Sequence, residues 1–226
     1  YSILFLILFF ACSPTDSKNH NNSGNDAVIT DTSKADLSEE TSDSVVQTAG
    51  KYPSSATPAQ QQALIALNNA RNAVGLPIVN ELATLNKSSL AHAYFITHHC
   101  LQYSNLGLSP HEEDKAYGDD FTGRYPWDRM MAAGYKGNGW GEVIAFYASP
   151  DASVNAWVNS LYHRLLIFDP GLLEIGYGKS IGPASCTGMF RKTDVMDLGL
   201  GAPSPRAPDH VFYPPDGGVD IPRAFE

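Results

Sequence analysis

Basic clusters are missing from this sequence of 226 residues, in which 15 lysines and arginines face 24 acids for a net charge of −9. Without a basic patch there is no electrostatic footprint for a phosphate backbone, so nucleic acid is excluded as a partner. Long apolar runs are missing too. Residues 2–11 (SILFLILFFA) are nearly all apolar, but a bilayer span needs about 20 such residues. No internal repeat is present. Several catalytic signatures begin and then fail. His111-Glu112-Glu113-Asp114 opens like a zinc-protease helix but has no second histidine at the fourth following position. Residues 178–182 (GKSIG) have nucleophile-elbow spacing, yet Pro183 follows where the elbow needs a helix. Gly134, Gly137, Gly139 and Gly141 lack the Lys-Ser/Thr ending of a phosphate loop.

Cysteine is scarce: Cys12, Cys100 and Cys186 are the full set. The apolar run has the length of a signal-peptide core, and Ala11-Cys12 closes it as a bacterial lipobox would. Phe9 and Phe10 are bulky for that motif, and no initiator Met or basic region precedes the run, so residues 1–11 read as a truncated signal peptide. Cys12 is then the expected lipid-bearing residue, tethering the chain to a membrane and facing the periplasm or cell exterior. Residues 12–52 are rich in Ser, Asp, Asn and Thr and read as a spacer too polar to build a core. With Cys12 lipidated, Cys100 and Cys186 remain, either as a disulfide in an oxidising compartment or as two buried thiols.

The expected domain covers residues 53–201. At 43% hydrophobic and 17% charged, the chain can bury one core. Thr57-Pro58-Ala59-Gln60 reads as a capping box opening a helix that Gly75 and Pro77 stop. Further helices are expected over residues 88–100, over 126–133, and from Ser149-Pro150 with Val154, Trp157, Val158 and Leu161 on one stripe. Strands are expected over residues 141–147, 174–180 and 186–193. Helices and strands mix without βαβ alternation, which predicts an α+β fold. Residues 202–226, dense in proline, read as an extended tail.

The chemistry concentrates in His111, Glu142 and His163. Two imidazoles and a carboxylate suit a divalent cation such as Zn²⁺ with a position left open for a ligand, or a general acid and base, or a polar network that orders loops. Glu174 is an auxiliary candidate, against a solvated strand residue. Trp140, among glycines beside Glu142, is a candidate cleft wall or a lid over the core. His92, His98 and His99 have poor chelating spacing and read as packed or surface residues, and Glu112, Glu113 and Asp114 as a solvated acidic loop.

One further pattern runs through this region: His111, Phe121-Thr122-Gly123, Asp128-Arg129, Ala133-Gly134-Tyr135, Gly141-Glu142-Val143-Ile144, Ala156-Trp157-Val158-Asn159-Ser160, His163-Arg164 and Glu174-Ile175-Gly176-Tyr177-Gly178. In order and spacing it resembles the CAP (SCP-like) domain family in its bacterial form, over roughly residues 58–190. Val143 stands where that family carries asparagine. The resemblance implies an α–β–α sandwich with a side cleft around His111, Glu142 and His163. It implies binding of a lipid, peptide or cell-surface component more than catalysis. The alternative is a metal-assisted hydrolase of peptides or cell-wall polymers.

Overall fold

The computed structural model describes residues 50–147 and 149–215. The expectations for Cys12, the apolar run and nearly all of the spacer therefore lie outside the described residues. Helix α1 (Pro58–Ala73) starts at the capping box: Gln60 N donates to Thr57 Oγ at 3.3 Å, and Thr57 N donates to Gln60 Oε1 at 2.8 Å. Gly75, at φ +75°, turns the chain away after it. Helix α2 (Ala83–His98) begins five residues before the expected Ser88. Its first residue has no side-chain cap before it. Leu82 N instead donates to Ile175 O across the sheet, so a tertiary contact sets the start and no local signal announces it. A short α3 (Cys100–Leu106) follows, then α4 (Pro126–Ala133), closed by Gly134 at φ +100°. Helix α5 (Pro150–Asn159) is capped by Ser149 and ends at Ser160, where α6 (Leu161–Ile167) begins. Leu161 thus leaves the expected stripe and is half exposed.

Four strands, β1 (Asn80–Glu81), β2 (Gly139–Ala145), β3 (Leu172–Ile181) and β4 (Lys192–Leu200), form one mixed sheet in the order β1-β3-β4-β2. β1 pairs parallel to β3, and β4 pairs antiparallel to both β3 and β2. The last strand corrects the sequence expectation. Residues 186–191 form a loop and a 3₁₀ turn, and the strand runs on to Leu200. Asp194 and Asp197 disguised it, because a central strand buried on both faces rarely carries two acids.

Alternation along the strands sends residues to two helical layers. One face (Val143, Ala145, Ile175, Tyr177, Met196, Leu198) packs on α1, α5 and α6 through Leu64, Leu67, Trp157 and Ile167. The other carries Ile144, Phe146 and Val195 against Ala93, Phe95 and Ile96 of α2. The architecture is the α+β sandwich, helices over and under one sheet. Cys100 and Cys186 are disulfide-bonded with Cα atoms 5.9 Å apart, fastening α3 to the loop before β4. Two boundaries shift. The fold begins before residue 53, since Glu81 N donates to Lys51 O at 2.8 Å. The described part of the proline-rich tail is not a free extended chain. Ala207, Val211 and Tyr213 pack on the core, Tyr213 donates to Asn159 Oδ1 at 2.8 Å, and Arg164 lies 4.0 Å over the Tyr213 ring.

Candidate functional site

β2 is an edge strand, and two of the expected site residues, His111 and Glu142, meet beside it. Glu142 sits on β2 directly opposite Asp197 of β4, on the α2 side of the sheet. Its side chain is 1% exposed and both oxygens are engaged. Oε2 accepts from Arg129 Nη2 of α4 at 2.6 Å, and Oε1 is 2.8 Å from His111 Nδ1. Burial alone would raise the Glu142 carboxyl, but Arg129, His92 and His111 outweigh it and hold it far below the usual carboxylate range. An ionised carboxylate only accepts, so His111 Nδ1 carries the proton and donates. The His111 side chain is 20% exposed.

His163 reaches the same region from α6. Its Nδ1 is bonded to Ser160 Oγ at 2.9 Å. Burial, and then the charge of His111, push its pKa down to about 4, so the ring is neutral near pH 7. The two imidazoles thus stand within electrostatic reach of each other. Glu142 meets His111 through Oε1 and Arg129 through Oε2. Among the described residues, no three His, Cys, Asp or Glu side chains are grouped to hold a metal ion.

Glu174 belongs elsewhere. It lies on β3, two strands from Glu142, and accepts a hydrogen bond from Tyr135 at a separate depression of about 410 Å³ lined also by Thr84, Lys136 and Gly137. Trp140 shares the α2 side of β2 with Glu142 and is 37% exposed.

Beneath His111 lies a buried polar network that the sequence hid. Arg129, 1% exposed, donates through Nη1 to the carbonyls of His111 and Arg124, both at 3.1 Å, so it holds the cleft loop as well as Glu142. Glu113 is 1% exposed, not a solvated loop acid. It accepts from Thr122 N at 2.7 Å and lies 2.9 Å from Nδ1 of the fully buried His92. His92 Nε2 donates to Pro110 O at 2.8 Å. Burial pushes Asp197 well above the usual carboxylate range, and the Glu142 charge facing it adds to this, so it is the neutral acid beside an ionised one. No signal in the sequence separated His111 from Glu113: residues two apart on an extended chain share a face, so their spacing does not show which is buried. Of the other histidines, His98 stacks on Tyr94, and His99 pairs with Asp120 at 2.8 Å away from the cleft.

No curated protein matches the chain. Solved structures with limited likeness to it include an extracellular SCP-domain protein of Bacillus anthracis (16% identity, TM-score 0.47), an outer surface protein of Borrelia burgdorferi (18%, 0.44) and venom allergen-like protein 4 of Schistosoma mansoni (12%, 0.42). The alignments cover 66%, 62% and 65% of this chain, and 45%, 90% and 91% of those proteins, respectively. This chain therefore spans less than half the length of the Bacillus protein. The model of the CAP, or cysteine-rich secretory protein, family matches residues 64–190. That match takes in more than half of the chain, with the cleft loop, α4, β2 and both helices α5 and α6, and the chain belongs to this family.

Proposed function

We propose that this protein is a ligand-binding module acting outside the cytoplasm, whose cleft takes its ligand at the Nε2 atoms of His111 and His163. One observation supports the reading: a buried, ionised Glu142, clamped by Arg129, accepts from His111 Nδ1 and so orients the ring. Neutral His163 adds a second imidazole within electrostatic reach of the first. Such a pair accepts hydrogen bonds, or holds a divalent cation such as Zn²⁺ with the remaining positions filled by ligand or water. A cation there would supply a Lewis-acidic anchor for an oxygen of the ligand. The ligand classes in view are a lipid, a peptide or a cell-wall component. Titration calorimetry with Zn²⁺ tests the site: one site per chain is expected, with affinity lowered at least tenfold in either His111→Ala or His163→Ala. Unchanged binding in both variants would remove the proposal.

A second reading, hydrolysis of peptides or cell-wall polymers, rests on the Ser160–His163 bond. It is weaker. A histidine whose pKa is about 4 is a poor base at neutral pH, and Ser160 sits at the α5–α6 junction with its amide bonded to Ala156 O. Turnover of casein or peptidoglycan by the Zn²⁺-treated protein, lost in Ser160→Ala, would favour it.

The tether is the other part of the proposal. Ala11-Cys12 after the apolar run supports a lipid on Cys12 and a place on the outer side of a membrane. Among the described residues no helix is long and apolar enough to cross a membrane. Labelling with a fatty-acid analogue should tag the wild type and spare Cys12→Ala. Equal labelling would refute the tether.

A further inference from the structure

Below the cleft, His92 is placed between two acceptors. Its Nε2 is 2.8 Å from Pro110 O, a carbonyl that can only accept, so Nε2 carries a proton. Its Nδ1 is 2.9 Å from Glu113 Oε1. A neutral ring protonated at Nε2 has a bare Nδ1, and a carboxylate has no proton to give it. The contact therefore requires one proton between Nδ1 and Oε1, whichever atom owns it. Both side chains are fully buried, so water does not mediate the contact. Glu113 is held further by Thr122, through N at 2.7 Å and Oγ at 3.2 Å. Pro110 and Glu113 flank His111 in the loop, and Arg129 holds the His111 carbonyl between them.

We infer that His92 is a positioning residue for the cleft: bridging Pro110 and Glu113 through that proton, it pins the loop so that His111 Nδ1 stays on Glu142. This deepens the proposed ligand-binding reading and rests on it for what His111 is held ready to do. Losing the bridge removes the side-chain contacts on both sides of His111, and with His92 goes a neighbour 4.0 Å from Glu142 Oε1, while Glu142 and Arg129 stay paired. His111 is then no longer fixed in one tautomer. Glu113→Gln is the conservative replacement. Its amide nitrogen donates to Nδ1 while its oxygen accepts from Thr122, so the bridge survives without the extra proton.

Long-range ¹⁵N–¹H correlation spectra of the labelled protein, near neutral pH and without added metal, test this. In the wild type, His92 Nε2 should be protonated, a far-downfield, slowly exchanging proton should connect to Nδ1, and His111 should be the Nδ1–H tautomer. In His92→Phe the His111 nitrogens should move to the averaged shifts of mixed tautomers. In Glu113→Gln the His111 signature should stay as in the wild type. A wild-type His92 with bare Nε2 overturns the inference, as does a folded His92→Phe that keeps a pure Nδ1–H His111. If His92→Phe does not fold, the wild-type spectrum and Glu113→Gln decide, and a scrambled His111 in Glu113→Gln overturns it. These spectra read protons on rings and not ligand. A protein with this pattern that fails to bind Zn²⁺ would cost the ligand reading and leave the inference standing.

Discussion

At the scale of single residues, the cleft depends on charges kept in balance away from water. Arg129 and Glu142 are both buried, and each is the other's main counter-charge. Glu142→Ala strips Arg129 of its closest counter-charge and leaves it buried with Glu113 at 3.8 Å, and should cost about 3–5 kcal/mol in denaturant unfolding. Glu142→Gln keeps the shape and a hydrogen-bond acceptor and should cost less. If both cost the same, packing and not charge governs the site. Much of this was legible: His111, Glu142 and His163 stood out by residue type and by their place in the motif. Glu113 and His92 did not. Burial of an acid follows from which side of a loop faces the core, and a run such as Glu112-Glu113-Asp114 does not display that. Glu174 misled for a related reason, since alternation along a strand fixes its face but not its neighbour two strands away.

At the scale of elements, close approach and end-capping decide what the sheet can carry. α2 lies directly on β3. A Cβ at Gly176 would stand 2.0 Å from the Leu85 carbonyl carbon, and one at Gly178 would stand 2.1 Å from Leu90 N. Gly178→Ala must push the helix off the strand and should cost about 1–3 kcal/mol. An unshifted melting curve would show that the layer yields freely. The shortest strand, β1, carries Glu81, 3% exposed. Burial raises its pKa to about 7, against a smaller lowering by Asn86. With the folded pKa above the unfolded one, the native state holds the proton longer. Its contribution is therefore full below about pH 4.5 and is lost as pH rises through about 7. Glu81→Gln should be the more stable protein at pH 8, with the advantage shrinking toward pH 5. An advantage that does not change with pH would place the effect outside this carboxyl. Helices with local signals, α1 at Thr57 and α4 at Pro126, could be read from the sequence. The start of α2 and the whole of β4 could not, because a cross-sheet hydrogen bond and two buried acids determine them.

At the scale of the molecule, the sandwich carries the His111–Glu142 pair at its edge strand, and fastenings far from that edge help hold the fold together. The Cys100–Cys186 disulfide closes a loop of 86 residues, for which chain entropy suggests about 4–5 kcal/mol as an upper figure. Replacing both cysteines by serine should lower the melting temperature by several degrees, and an unchanged melt would mean that α3 is held by its packing alone. The central claim is that His111 and His163 act as one pair through their Nε2 atoms, with Glu142 fixing the first. It is tested most directly by adding Zn²⁺ to the ¹⁵N-labelled protein and following every histidine ring nitrogen. The account predicts that the Nε2 signals of His111 and His163 shift together to a common one-to-one end point, while His92 keeps its signals. Metal that shifts only one of the two rings, or that shifts His98 and His99 while the cleft pair stays silent, would contradict it.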